Sequence, residues 1–141
     1  METEVKQREG VDTTTQTYVD LLAALYSVQE LPGLKFALKV DENIQKLEKE
    51  LAPLNKIMEP TPEFEAFALR VREEAGTDLE KRKQMEDENR ELVDHRMQQI
   101  ETAREMLKEP KEIQLRKIYI SELPKDINAV QVKALKPILL S

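Results

Sequence analysis

Residues 34–58, LKFALKVDENIQKLEKELAPLNKIM, carry Ala37, Val40, Ile44, Leu47, Leu51, Leu54 and Met58 at alternating spacings of three and four. Apolar residues repeating with that period lie along one side of an α-helix, so the segment must fold as a helix whose stripe is covered by something. The cover is either another helix of the same chain or a partner. The heptad holds for three repeats, short of the length that defines a coiled coil by sequence alone. Pro53 lies inside the stretch and cannot donate to the carbonyl of Lys49, which predicts a kink, or a stop near Leu51 and a restart.

The neighbouring segments supply the first candidate cover. Tyr18, Leu21, Leu22, Leu25 and Val28 share one face of a helix spanning about 17–31, which Pro32-Gly33 closes with a turn. The two helices are expected to fold back on each other as an antiparallel hairpin. After Pro60, Thr61 is placed to cap a third helix and Pro62 to occupy its first position. That helix is expected over 62–109, with a break near 76–78 at Gly76-Thr77-Asp78. Phe64, Phe67, Ala68, Val71 and Ala75 form its first apolar side. Between Leu79 and Leu92 the only apolar residue is Met85, so this part reads as an exposed, charged helix. Asp78 with Arg82 and Glu86 with Arg90 are spaced to support it, each pair by roughly 0.3 kcal/mol. Apolar spacing resumes at Leu92, Val93, Met97, Ile100, Ala103 and Leu107, and Pro110 ends it.

The last thirty residues change character. In EIQLRKIYIS, Ile113 and Leu115 alternate, the parity slips between Arg116 and Lys117, and Ile118 and Ile120 alternate again, which reads as a strand bulged at the slip. Asn128 and Gln131 have the spacing of a capping box that opens the short helix AVQVKAL. The expected fold is therefore mainly α: a helical hairpin or small bundle with a long charged helix, then a short C-terminal β-strand and a terminal helix. Its expected divisions are a polar arm over 1–16, a helical domain over 17–110 and the C-terminal piece over 111–141.

Composition narrows the chemistry. The chain has no cysteine, which removes disulfides, thiolate metal sites and cysteine nucleophiles. Its single histidine, His95, has Glu91 and Asp94 nearby, but position 92 is Leu where a Glu-x-x-His di-iron helix needs a carboxylate, and no second histidine exists. Glu73 with Glu74 and Glu48 with Glu50 read as a wet, charged face, because acid–base work needs a desolvated cleft. Ser27, Ser121 and Ser141 lack a nucleophile elbow, and Gly10, Gly33 and Gly76 are too far apart to cradle phosphate. Neither catalytic residues, nor a cofactor, nor a metal is expected. The net charge is −6, but residues 108–141 carry +3, leaving −9 for residues 1–107. Arg116, Lys117 and Tyr119 would suit a single-stranded nucleic acid, yet no other aromatic follows Phe67, so that reading is disfavoured. METEVKQREGVDTTTQ has no apolar signal-like run, and no stretch has the roughly 18 apolar residues of a membrane span.

Two parts of the chain resemble a group of small proteins of siphovirus-type tailed bacteriophages. One is LPGLKFALKVDENIQKLEKEL, a lysine-bearing helix passing through Asn43 and Leu47. The other is EIQLRKIYISELPKDINAVQVKALKPIL, a strand, a turn and a terminal helix ending near a Leu-x-Pro. The likeness covers about 17–60 and 98–140, while residues 63–97 are longer and more charged than the resemblance implies. It implies a phage origin and a role in virion structure, assembly or the host encounter, and it carries over no catalytic residue.

The expected function is thus that of a non-enzymatic structural or assembly protein, acting on protein partners such as virion proteins or further copies of itself. Ile113, Leu115, Ile118 and Ile120 are the expected contact residues, since an unpaired strand invites another strand to join it. The expected location is the cytoplasm of the producing cell, or the virion. A small acidic binder that inhibits a host or defence protein is the alternative, and a nucleic-acid accessory protein the second.

Overall fold

A computed structural model of the chain describes residues 13–141. Most of the expected polar arm, residues 1–12, lies outside the described residues. The fold is mainly helical, with a two-strand sheet near the C-terminus. The described residues divide into two compact units: one holds residues 13–52 together with Leu107–Ser141, and the other holds Pro53–Met106. The C-terminal piece thus belongs with the first helical hairpin, rather than standing apart from a helical domain that ends at residue 110.

In the first unit, α1 (Thr15–Val28) and α2 (Leu34–Glu50) form the expected hairpin. Gly33 makes the turn at φ 116°, a region open to glycine, and its carbonyl accepts from Ala37 N at 2.8 Å to begin α2. Tyr18, Leu21, Leu25 and Val28 of α1 meet Phe36, Val40, Ile44 and Leu47 of α2 in one core. The stripe on α2 therefore begins at Phe36, not at Ala37, which is half-buried. α1 ends at Val28, three residues before the expected stop, and a turn follows in which Leu31 N donates to Val28 O at 3.1 Å.

α1 also starts earlier than expected. The residues before Thr17 were to belong to the arm, but Thr14 pairs with Pro110 in an antiparallel bridge and Lys111 N donates to Thr13 O at 2.8 Å. The buried Thr15 donates to the carbonyl of Glu109 twice, from its amide at 2.9 Å and its hydroxyl at 3.2 Å. A carbonyl just past a helix C-terminus has no partner within the helix, and here the threonine run supplies one.

The C-terminal segment completes this core. Ile113, Ile118, Leu135 and Ile138 all join it. β1 (Ile118–Tyr119) pairs in parallel with β2 (Leu139–Leu140), in the register Ile118↔Leu139 and Tyr119↔Leu140. Parallel strands cannot be joined by a tight turn. The crossover runs through a 3₁₀ turn at Ile120–Glu122, a short helix at Ala129–Ala134 and a second 3₁₀ turn at Lys136–Ile138. The expected capping box is present: Asn128 Oδ1 accepts from Gln131 N at 2.8 Å and Gln131 Oε1 from Asn128 N at 3.0 Å.

α3 (Ala52–Met58) restarts after Leu51, as Pro53 predicts, and all of it but Ala52 lies in the second unit with α4 (Pro62–Glu74), α5 (Leu79–Glu88) and α6 (Arg90–Lys108) as far as Met106. Thr61 caps α4, its hydroxyl accepting from Phe64 N at 3.1 Å, with Pro62 first in the helix. Asp78 caps α5 through Lys81 N at 3.2 Å, so its carboxylate is occupied there and not by Arg82. Phe67, Val71, Ala75 and Met85 form a small core, so even the charged α5 anchors one side chain. A second break falls at Asn89, whose Nδ2 donates to Met85 O at 2.9 Å. An asparagine that bonds the backbone in this way competes with helix continuation. Arg90, just beyond it, pairs with Asp87 and Asp94 rather than with Glu86.

Candidate functional site

The four residues expected to meet a partner have different fates. Ile113 and Ile118 are buried in the core, at 8% and 0% exposure, and Leu115 packs half-buried against them. Only Ile120, at 55%, faces solvent. The strand itself shrinks to two residues, already paired with β2, and residues 111–117 form no regular element and no ladder of their own. The apolar alternation at Ile113, Leu115 and Ile118 thus marks residues turned inward onto the core of α1 and α2.

What holds this segment in place is an amide on α2. Asn43 is buried at 1% exposure, its Oδ1 accepting from Arg116 N at 2.8 Å and its Nδ2 donating to Arg116 O at 3.0 Å. One side chain satisfies both backbone groups of one residue, as a neighbouring strand would. A second brace comes from Tyr18, whose hydroxyl accepts from Ile113 N at 3.0 Å.

Braced this way, residues 114–122 run beside one flank of α2 and leave a cleft of about 530 Å³ lined by Lys35, Leu38, Lys39, Glu42, Arg116, Tyr119, Ser121 and Glu122. A smaller hollow of about 290 Å³ shares Glu42 and Arg116 and adds Lys46, Gln114 and Leu115. The helix supplies Lys35, Lys39, Glu42 and Lys46 from one flank because residues three, four and seven apart lie on the same side. Leu38 and Tyr119 are 56% and 48% exposed within this cleft, and Ile120 follows directly.

Charge fixes the cleft's walls. Lys39 Nζ lies 2.7 Å from Glu122 Oε1, with both side chains largely covered, and 5.0 Å from the centre of the Tyr119 ring. Glu122 Oε1 also accepts from Tyr119 N at 2.9 Å. The hydrogen bond from Lys39, followed by that from the Tyr119 amide, holds the Glu122 carboxyl below its ordinary range. Arg116 Nη1 meets Glu42 Oε2 at 2.8 Å in a more exposed pair. On the outer side of α1, Tyr26 donates to Glu48 at 2.8 Å, and that bond is the main reason its phenol is raised above 10.0.

Other candidates for chemistry are scattered. His95, Glu91 and Asp94 are exposed, as are Glu73, Glu74, Glu48 and Glu50. Ser27 donates to Ala24 O at 2.6 Å. Among the described residues no group of three or more His, Cys, Asp or Glu side chains is arranged to hold a metal ion, and no helix is long and apolar enough to cross a membrane.

Asn43 beside the apolar stripe of α2 and Leu38 lying off it are visible in the sequence, but that they meet residues 114–122 depends on the fold. Comparison with protein families, with curated proteins and with solved structures finds no match to the chain. The reading of the cleft therefore rests on its own geometry.

Proposed function

We propose that the chain is a non-enzymatic structural or assembly protein, of the kind made by tailed bacteriophages, that docks a protein partner in the cleft between α2 and residues 114–122. The observation that carries the docking is the exposed pair Leu38 and Tyr119, held in one concavity by Asn43 and by the Lys39–Glu122 bridge. Interfaces concentrate their affinity in an apolar or aromatic anchor enclosed by a polar rim, and this cleft has both parts. Its phage assignment is supported only by the resemblance of residues 17–60 and 98–140.

The test is to purify particles or complexes from the producing cells and measure this chain's stoichiometry in them. Fixed stoichiometry that is lost in Leu38→Asp and kept in an exposed control such as Glu73→Gln supports the reading. A chain absent from every complex, or a Leu38→Asp variant retained at wild-type level, overturns it.

A further inference from the structure

The lining of the cleft also specifies a partner chemistry. We infer that its occupant is an acidic peptide segment carrying one bulky apolar side chain, an inference that rests on the docking reading above. Lys35, Lys39 and Lys46 lie along one flank of α2, spread over roughly 16 Å of helix, and Arg116 stands on the facing segment. Glu42 and Glu122 are the carboxylates among them, and each is already engaged, by Arg116 and by Lys39. Because the two carboxylates pair with Lys39 and Arg116, the cleft and its adjoining hollow hold two cations, Lys35 and Lys46, in excess, a local reversal of sign on a chain of net charge −6. A positive concavity of this kind draws acidic groups and holds basic ones off.

The two ion pairs differ in what they allow. Lys39 and Glu122 are 14% and 13% exposed and act as a fixed wall. Arg116 and Glu42 are 57% and 53% exposed, and an exposed pair contributes little on its own. Arg116 is thus able to turn its fork to an incoming carboxylate, which planar guanidinium recognises through two hydrogen bonds. Leu38 and Tyr119 supply the apolar floor for one bulky side chain. A polyphosphate strand fits less well, because Lys39 sits over the ring of Tyr119, where a base would have to stack.

The experiment titrates the full chain against a short fluorescent peptide of alternating Glu and Ser around one central Leu, read by anisotropy. Comparison probes are the same peptide with Lys for Glu, the same peptide with Ser for Leu, and a single-stranded oligonucleotide of equal charge. Saturable binding of the Glu/Leu peptide is expected, weakened about tenfold or more by Lys35→Glu with Lys46→Glu and also by loss of the central Leu. Both lysines are exposed, so the double variant is expected to keep the wild-type circular dichroism; Leu38→Ser, expected to weaken binding as well, is the independent second variant. Absent binding, binding indifferent to the charge reversal, or tighter binding of the Lys peptide or the oligonucleotide overturns the inference. If Leu38→Asp still removes the chain from its complexes while the Glu/Leu peptide does not bind, the docking reading stands and only the partner chemistry falls.

Discussion

The side chain of Asn43 holds the backbone of Arg116 by both its atoms, accepting from N–H at 2.8 Å and donating to C=O at 3.0 Å across 73 residues of sequence. The amide is almost wholly buried, and it occupies the place that a hydrogen-bonded strand would take beside residues 111–117. Replacing it by alanine leaves two backbone groups without their partner and opens a small void. Asn43→Ala is expected to cost about 2–3 kcal/mol, read as a lower urea midpoint at unchanged slope. Asn43→Asp is expected to cost at least as much, because its second oxygen faces the Arg116 carbonyl where a donor is needed. A shift below about 0.5 kcal/mol in both variants means that the segment is held by its apolar side chains alone.

Tyr18 and Tyr26 give a matched comparison. Both hydroxyls are hydrogen-bonded, Tyr18 accepting from the buried Ile113 amide and Tyr26 donating to Glu48 on the surface. Tyr18→Phe strands a buried donor and is expected to lower stability by about 1–2 kcal/mol. Tyr26→Phe removes an exposed bond and is expected to change stability by less than about 0.5 kcal/mol. It should also remove from an ultraviolet titration a phenol that ionises above 10.0, since Tyr26 is raised by its bond to Glu48. Equal effects of the two substitutions on thermal unfolding would contradict the burial assigned to Tyr18.

Glu122 gives the cleft a pH dependence of definite sign. Its folded-state pKa is depressed, first by the bond from Lys39 and then by that from the Tyr119 amide. A depressed carboxylate stabilises the folded state in full above its ordinary value of 4.5 and loses that contribution as the pH falls through the lower folded value. Wild type is therefore expected to be more stable than Glu122→Gln at neutral pH, with the two curves converging in acid. An NMR titration of the side-chain carboxyl should place its midpoint below 4.5. A gap that widens on acidification contradicts the Lys39 bridge.

Gly33 occupies φ 116°, and a Cβ added there meets only Phe36 Cβ at 3.7 Å, an ordinary contact. Gly33→Ala therefore isolates backbone strain from crowding. A loss of about 1–3 kcal/mol is expected, measured by chemical denaturation. No loss would mean that the turn between α1 and α2 relaxes to a conformation open to alanine.

The helices and their punctuation were legible in the sequence because they depend on neighbours along the chain. Pro53 ends α2, Thr61 and Pro62 open α4, and Asn128 with Gln131 opens the short C-terminal helix, each within a few residues of its cause. What could not be read were relations between distant residues. Nothing local shows that Thr15 meets Glu109, or that Asn43 replaces a strand beside Arg116. Alternation at Ile113, Leu115 and Ile118 follows a side covered within the chain, while Ile120 is exposed, and periodicity does not say which molecule does the burying. The cleft was hidden for the same reason: Leu38 and Tyr119 are 81 positions apart, and only the fold brings them to one concavity.

Ile118 and Ile120 put that last distinction to measurement, since they stand two residues apart on the same stretch. Ile118 is fully enclosed, and a carboxylate there would be buried with no partner. Such a substitution is expected to cost more than about 4 kcal/mol, so Ile118→Asp should lose its cooperative thermal transition or fail to accumulate. Ile120 is more than half exposed, and Ile120→Asp is expected to stay within about 0.5 kcal/mol of wild type. Leu38→Asp, on the exposed side of α2, should be equally well tolerated in the isolated chain. If Ile118→Asp folds normally and abolishes association instead, the segment meets its partner through the side now assigned to the core. If Ile120→Asp or Leu38→Asp unfolds the chain, those side chains are structural and the cleft has no free apolar floor.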